Sequence, residues 1–215
     1  MNRLLTSGLA LFVLVALAAG ALAAPPPGDR EKRRDSQPRM LGERDWAYWW
    51  GDVAYAGGAV TLASRRPSTP DETYSALVTS RQTWNDLDLS FGTATIEYLR
   101  LGSPPNAWEV GWVMFRFRDL ENYYYFIVKP NGYELGKKHG SDDQIFLATG
   151  EAPTLTLGRR HAVRLVVAGP RIRAWVDGAP VLDFTDPNPL PGGAVGLYEE
   201  DARVTFDSVT VGAPR

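Results

Sequence analysis

The sequence predicts an all-β protein, folded as a two-sheet antiparallel jelly-roll sandwich. Short runs in which apolar and polar residues alternate recur along the chain, which is the pattern of half-buried strands. Turn signals separate these runs, including Gly-Pro at 169–170, Asp-Gly at 177–178 and Asn-Pro at 188–189. No window keeps a helical repeat over about ten residues. Many short strands without long helices pack as two stacked sheets.

The predicted strands follow one another at short intervals. In chain order they are 59–63, 75–80, 87–91, 93–101, 111–118, 123–129, 133–137, 162–168, 171–177, 179–184, 193–198 and 204–211. The last part, from 164 to 211, carries the most regular alternation and the clearest reversals, and reads as two tight hairpins and a closing strand.

Residues 1–23 have the pattern of a secretory signal peptide. Arg3 supplies a positive start, residues 9–18 are an unbroken apolar run, and Ala21-Leu22-Ala23 offers small residues for cleavage. The prolines at 25–27 end the run before it reaches the about 20 residues that a spanning helix needs. We therefore predict export to the periplasm or the extracellular space and no membrane span after cleavage, with an uncleaved anchor as the alternative.

Residues 24–44 combine proline with dense mixed charge and almost no large apolar side chains, which predicts a flexible linker. The remaining residues, 45–215, are long enough for one domain with a substantial core. They hold all seven tryptophans and more acidic than basic side chains, and this excess of acid argues against a nucleic-acid partner. The chain has no cysteine, so disulfides cannot stabilise it.

Alternation along the middle strands predicts a mixed aromatic and charged face. Successive side chains of a strand point to opposite sides of the sheet. The apolar set that includes Phe115 and Phe117 is expected to fill the core. The opposite set is expected to point outward, and a later strand adds two more residues to it: Trp112, Arg116, Tyr123, Tyr125, Lys129, Glu134, Arg173 and Trp175.

Such a face suits a polysaccharide or oligosaccharide, because sugar C–H surfaces lie on aromatic rings while the hydroxyls need fixed donors and acceptors. The alternative is that these aromatics pack under a loop or pair across strands and stabilise the sheet.

Five motifs in order carry a resemblance to a known family. They are NDLDLSF, VMFRFRDLENYYYFIV, YELGK, IRAWVDGAPVLDF and GAVGLYEEDARVTFDSVTV. The chain resembles the concanavalin A-like and laminin-G-like jelly rolls, and within them is most similar to the 3-keto-disaccharide hydrolase domains, relatives of family sixteen glycoside hydrolases. The resemblance covers about residues 46–211. It implies the sandwich fold and a possible glycosidase-like activity.

The catalytic strand of true family sixteen enzymes is absent. Its Glu-x-Asp-x-Glu pattern supplies the two carboxylates of a retaining mechanism, and the nearest strand here has only Glu109. Glu97 and Glu134 are the candidate catalytic carboxylates, with Arg116 and Lys137 as basic neighbours. The alternative is that both are ordinary surface charges. His139 and His161 have no partners in sequence that suggest a triad or a zinc site.

The resemblance also implies a structural calcium ion, held by the Asp of the last-strand motif and carbonyls of an early loop. Asp207 occupies that position here, and Asp52 and the Gly57-Gly58 turn are the loop candidates. The alternative is that Asp207 bonds backbone amides. The acidic run at 199–201 is expected to lie in solvent at a hairpin tip.

Three functions compete on the sequence. The first is an exported carbohydrate-binding module, which the aromatic face and the missing catalytic strand favour. The second is a glycoside hydrolase of the 3-keto-disaccharide type, which the resemblance favours. The third is a calcium-stabilised scaffold that binds a protein.

Overall fold

The computed structural model describes residues 37–141 and 143–214, and the regular secondary structure of this part is two antiparallel sheets and one short 3-10 helix. The predicted all-β, two-sheet antiparallel jelly-roll sandwich is confirmed. The predicted signal peptide and most of the predicted linker lie outside the described residues. In the described part, no helix combines the length and apolar character needed to cross a bilayer.

The strands are numbered in chain order. The first sheet has eight strands, in the spatial order β13 (Ala179–Thr185), β12 (Arg171–Val176), β11 (His161–Ala168), β6 (Leu87–Tyr98), β15 (Ala202–Gly212), β4 (Ala59–Ala63) and β3 (Asp52–Ala56), with β1 (Arg39–Met40) paired to the end of β15. The second has seven, in the order β10 (Ile145–Gly150), β9 (Gly132–His139), β8 (Asn122–Lys129), β7 (Gly111–Asp119), β14 (Gly193–Glu200), β5 (Ser75–Trp84) and β2 (Trp46–Trp50). A short 3-10 helix, Glu43–Asp45, precedes β2.

The structure extends the predicted strands at several points. Strands β2, β3 and β10 were not predicted, and β1 lies inside the segment expected to be a linker. The two runs expected on either side of Gly92 form one strand, β6, because Gly92 pairs with Ala162 on one side and Asp207 on the other. Leu41 is 2% exposed and its N–H donates to the carbonyl of Val209. The ordered domain therefore begins before residue 45.

A buried polar cluster joins the two layers. The Tyr124 hydroxyl donates to Asp186 Oδ2 at 2.6 Å and accepts from the Leu190 N–H at 3.0 Å. The Lys137 ammonium donates to the same carboxylate at 2.6 Å. Burial opposes ionisation of Asp186, but the hydrogen bonds from Lys137 and Tyr124 outweigh it and lower its pKa. The carboxylate after β13 thus ties β8 and β9 to the opposite sheet.

Arg116 does not point outward as predicted. It has a φ of +48°, and the pairing register of β7 with β8 shifts between Phe115 and Asp119. Its guanidinium donates to the carbonyls of Leu190 and Gly169 at 2.9 and 2.7 Å. These residues follow β13 and β11, so the side chain reaches across to the eight-stranded sheet. An extra residue in a strand reverses the alternation beyond it.

The same bulge moves Phe117 out of the interlayer core, where it was expected. The Phe117 ring contacts the rings of Trp49 and Tyr123, with centroids 5.4 and 6.0 Å apart. Arg116 therefore points toward the other sheet and Phe117 points away from it, which is the reverse of the sequence prediction.

Replacing Lys137 with Met should destabilise the protein strongly. The change leaves the Asp186 carboxylate buried without its cation, which costs about 3–5 kcal/mol in comparable buried pairs. Urea denaturation followed by tryptophan fluorescence measures the loss. Arg171→Met is the matched control, because its ion pair with Asp183 is exposed and should contribute less than about 1 kcal/mol. If both variants lowered the free energy of unfolding equally, the proposed role of the cluster would be contradicted.

Candidate functional site

A cavity of about 610 Å³ opens on the seven-stranded sheet. It lies on the face opposite to Tyr124 and Tyr133, whose hydroxyls bond across the core to Asp186 and to the carbonyl of Val181. Side chains of β2, β5, β7, β8, β9, β10 and β14 line it together with loop residues. The lining is Trp50, Leu77, Ala107, Trp108, Trp112, Met114, Leu120, Tyr123, Lys129, Asn131, Glu134, Gln144, Phe146, Tyr198 and Glu200.

The structure brings together Trp112, Tyr123 and Tyr125, which were predicted to share one face. They do not form an open platform, however, because their exposed fractions are only 5%, 8% and 0%. Trp112 packs on Tyr125 with ring centroids 4.6 Å apart, and its indole N–H donates to the carbonyl of Trp108 at 2.8 Å. The predicted surface is therefore part of the wall of a cavity, which loop residues such as Trp108, Leu120 and Gln144 also line.

Glu134 is held at the cavity wall by two neighbours. The Tyr125 hydroxyl donates to Oε1 at 2.8 Å and the Lys129 ammonium donates to Oε2 at 2.5 Å. Glu134, Tyr125 and Lys129 come from β8 and β9, on the same side of the hairpin. The ring of Tyr125 lies over Gly136, where a Cβ would approach it to 2.3 Å. Glycine at this position is what allows the ring to lie flat against the strand.

A second carboxylate, Glu200, lies at the cavity wall on β14. It accepts from the Trp108 indole N–H at 3.1 Å and from the Tyr198 hydroxyl at 3.0 Å. Burial raises the pKa of Glu200, and the charges of Asp201 and Glu109 add to the effect. Such a group retains a proton more readily than an exposed glutamate and is suited to act as an acid.

The acidic run 199–201 was expected to lie in solvent, and this prediction is wrong. Glu199 and Asp201 are 0% exposed and lie behind the cavity wall near Glu109, which is also 0% exposed. Arg100 bonds to Glu109 and lies 3.5 Å from Asp201. Burial, with Asp201 and Glu200 adding to it, raises the pKa of Glu199 from 4.5 to about 8. Arg100 thus pairs with two of these three carboxyl groups, and among the described residues Glu199 has no ion pair.

Several predicted site residues lie away from the cavity. Glu97 is on β6 of the other sheet, where it pairs with Arg66 and Arg203. Arg173 and Trp175 lie on β12, also in the other sheet, and do not line the cavity. Neither basic neighbour expected near Glu134 is there, because Lys137 bonds to Asp186 and Arg116 bonds across the core.

The Asp207 carboxylate, the predicted calcium ligand, forms an ion pair with Arg160. Arg160 donates to its two oxygens at 2.7 and 2.6 Å, and this interaction, the largest cause, lowers the pKa of Asp207. Among the described residues, no three of His, Cys, Asp and Glu gather closely enough to hold a metal ion.

Sequence reasoning missed Trp50, Trp108, Tyr198 and Glu200. Trp108 and Glu200 are far apart in the chain, and only the fold brings the indole to the carboxylate. One available signal was the concentration of tryptophans, since three of the seven line this cavity. Tyr198 and Glu200 fall on the same face of β14 by simple alternation, which the sequence does show.

Comparisons with known proteins agree with this architecture. Residues 39–212 match the family model described as a 3-keto-alpha-glucoside-1,2-lyase-like domain, which confirms the resemblance drawn from the motifs. None of the curated proteins matches the sequence.

Solved structures share the fold at low identity. The carbohydrate-binding module CBM66 from Bacillus subtilis superposes with a TM-score of 0.64 and 19% identity, covering 79% of this chain and 96% of that chain. A putative glycosyl hydrolase from Parabacteroides distasonis superposes with a TM-score of 0.55 and 9% identity, covering 86% of this chain and 97% of that chain. The exoplasmic/lumenal domain of VIP36, in a Ca²⁺/Man3GlcNAc-bound form, superposes with a TM-score of 0.59 and 10% identity. The match covers 83% of this chain and 89% of that chain. At these identities the likeness concerns the fold alone.

Glu199 should make the stability fall with rising pH. Its pKa is higher in the folded than in the unfolded protein, so the folded state binds the extra proton between pH 4.5 and about 8, and stability decreases across that window. Glu199→Gln should flatten this part of the profile and stabilise the protein at pH 8.5 by about 2 kcal/mol. Chemical denaturation at pH 5 and 8.5 measures both effects. A variant with an unchanged pH slope would contradict the assignment.

Proposed function

The chain belongs to the family of 3-keto-alpha-glucoside-1,2-lyase-like domains, and from this premise we propose that it binds a saccharide in the cavity of the seven-stranded sheet. The observation that carries the proposal is the combination of indole surfaces with a fixed ion pair in one enclosed space. Trp50, Trp108 and Trp112 supply flat apolar area, and the Lys129–Glu134 pair supplies donors and an acceptor.

The cavity offers the two kinds of contact that a sugar needs. A pyranose presents C–H groups on its faces and hydroxyls around its rim, so it needs rings to lie on and polar groups at the edge. Cavities of about 300–1,000 Å³ with apolar walls and a few oriented polar groups are the usual form of small-ligand sites. The carbohydrate-related names of the family and of the similar structures support the same class of ligand.

The chemistry of the cavity favours a second candidate, cleavage of a 3-keto-α-glucoside. In such a 1,2-elimination a base removes the C2 proton and the C1–O bond breaks. A C1=C2 double bond then forms, and an acid protonates the departing oxygen. Glu134, paired with an ammonium, is the candidate base, and Glu200, whose pKa is raised by burial, is the candidate acid. Lys129 is the candidate donor to the keto oxygen.

Export and a structural calcium ion at Asp207 stay predictions. For Asp207 to bind calcium, Arg160 would have to give up both of its hydrogen bonds to that carboxylate.

Trp108→Ala should weaken saccharide binding about tenfold, because it removes one wall of the cavity and the donor to Glu200. Trp108 is 47% exposed, so the variant should still fold. Calorimetric titration with a panel of gluco-oligosaccharides measures the effect. Tyr48→Ala is the matched control, since Tyr48 is an exposed aromatic that does not line the cavity. Equal affinities for wild type and Trp108→Ala would refute the site.

Glu134→Gln and Glu200→Gln should each reduce the release of aglycone from a 3-keto-α-glucoside at least about a hundredfold, since each removes one proton-transfer group. Glu97→Gln, on the other sheet, should leave the rate unchanged. Mass spectrometry of the products separates elimination from hydrolysis by the mass of one water. If the wild type binds gluco-oligosaccharides but releases no product, the binding role stands and the enzymatic role is excluded.

A further inference from the structure

We propose that the outer face of the eight-stranded sheet carries a second saccharide site, specific for sugars with an acidic group and centred on Trp175. Trp175 lies on β12 between Ala174 and Val176, which are 0% and 1% exposed and face the core. By alternation, Trp175 and Arg173 point to the opposite side, away from the other sheet. A depression of about 480 Å³ lies beside the indole.

Two arginines at this depression are held in fixed positions. Arg164 donates to both oxygens of Asp88 at 2.8 and 2.6 Å, and Arg160 donates to both oxygens of Asp207 at 2.7 and 2.6 Å. Bidentate pairs of this kind fix the orientation of the guanidinium plane. Side chains that are already ordered lose little further entropy when a ligand binds.

The backbone is shaped to allow this arrangement. A Cβ at Gly92 would lie 2.1 Å from Arg160 Nη2, so glycine makes room for the guanidinium to cross β6 and reach Asp207 on β15. Ser208, which also lines the depression, has a φ of +53° at a register shift between β15 and β6. Positive φ is costly for a residue other than glycine, and strained backbone of this kind concentrates at binding sites.

The positive charge around the depression exceeds the negative charge. The carboxylates of Asp88 and Asp207 balance Arg164 and Arg160. Arg173, beside the depression, lies opposite Asp183 on the next strand, but both oxygens of Asp183 accept from Arg171, so one carboxylate faces two arginines. The guanidinium carbons of Arg164 and Arg173 lie over the Trp175 ring, 5.3 and 5.5 Å from its centroid. In the described part of the chain the Trp175 indole N–H donates to no protein acceptor. A partly balanced cation and an unused donor therefore flank one aromatic ring.

These features fit a sugar ring that bears an anion. The ring lies against the indole, Arg173 binds the carboxylate or sulfate, and the Ser90 and Ser208 hydroxyls at the rim bond to sugar hydroxyls. The site is independent of the cavity in the seven-stranded sheet, because the interlayer core separates the two faces. It therefore does not rest on the function proposed for that cavity.

Calorimetric titration of the protein with three tetrasaccharides tests the proposal: tetragalacturonate, a sulfated carrageenan tetrasaccharide and neutral cellotetraose. At least one acidic probe should bind more tightly than cellotetraose, and its affinity should fall as salt is raised. Trp175→Ala should weaken this binding about tenfold and Arg173→Gln about fivefold. Which acidic probe binds more tightly identifies the acidic group.

Arg203→Gln is the matched control. It removes the same charge from the outer face of the same sheet, since Arg203 lies on β15 between Ala202 and Val204, which are both 0% exposed. Arg203 pairs with Glu97 and does not line the depression. The variant should change the affinity less than about twofold, and Trp108→Ala should not change it. The proposal is overturned if neither acidic probe binds at millimolar concentration, if cellotetraose binds equally well, if Arg203→Gln weakens binding as much as Arg173→Gln, or if Trp108→Ala abolishes it.

Discussion

The structure depends on one packing constraint: strands β7, β8 and β9 must fill an apolar layer on each of their two faces. On the side of the other sheet, Phe115 stacks on Tyr124 with ring centroids 5.1 Å apart. On the opposite side Trp112 packs on Tyr125. An antiparallel sheet commonly leaves one face in water, but strands with both faces buried are near-continuous apolar runs. The run from Tyr123 to Val128 is of this kind, because every residue in it is buried, and the cavity lies on its second face.

This double burial decides where charges can lie. Charged groups inside either layer carry close partners, as Lys137 does with Asp186 and Lys129 does with Glu134. Glu199 has no cation of its own, and its raised pKa reflects the cost of burying an ionised carboxyl group. Glu199 pairs with Gly111 on the side of β14 that is turned to the other sheet, opposite to the cavity-lining Tyr198. Natural proteins tolerate such unfavourable burial mainly at functional sites.

The outer faces of the two sheets offer different surroundings to a ligand. The face of the seven-stranded sheet forms a cavity, and polar contacts are stronger in such partly dehydrated surroundings than on an open surface. The eight-stranded sheet stays open, and arginine–aspartate pairs order its surface around Trp175. Ligands on an open face compete with water and salt, so recognition there depends more on charge and on preorganised side chains.

The sequence by itself determined the fold class, most of the strands and the face shared by Trp112, Tyr123, Tyr125, Lys129 and Glu134, because alternation with a period of two is a local property of the backbone. It could not reveal β2, whose residues Trp46–Trp50 show no alternation. Nor could it reveal the bulge at Arg116, which exchanges that residue with Phe117. Only the tertiary structure decided that the aromatic face is enclosed, that Glu200 joins it and that Trp175 lies on the other sheet. Those outcomes depend on loop paths and strand order, which join residues far apart in the chain and leave no periodic signal.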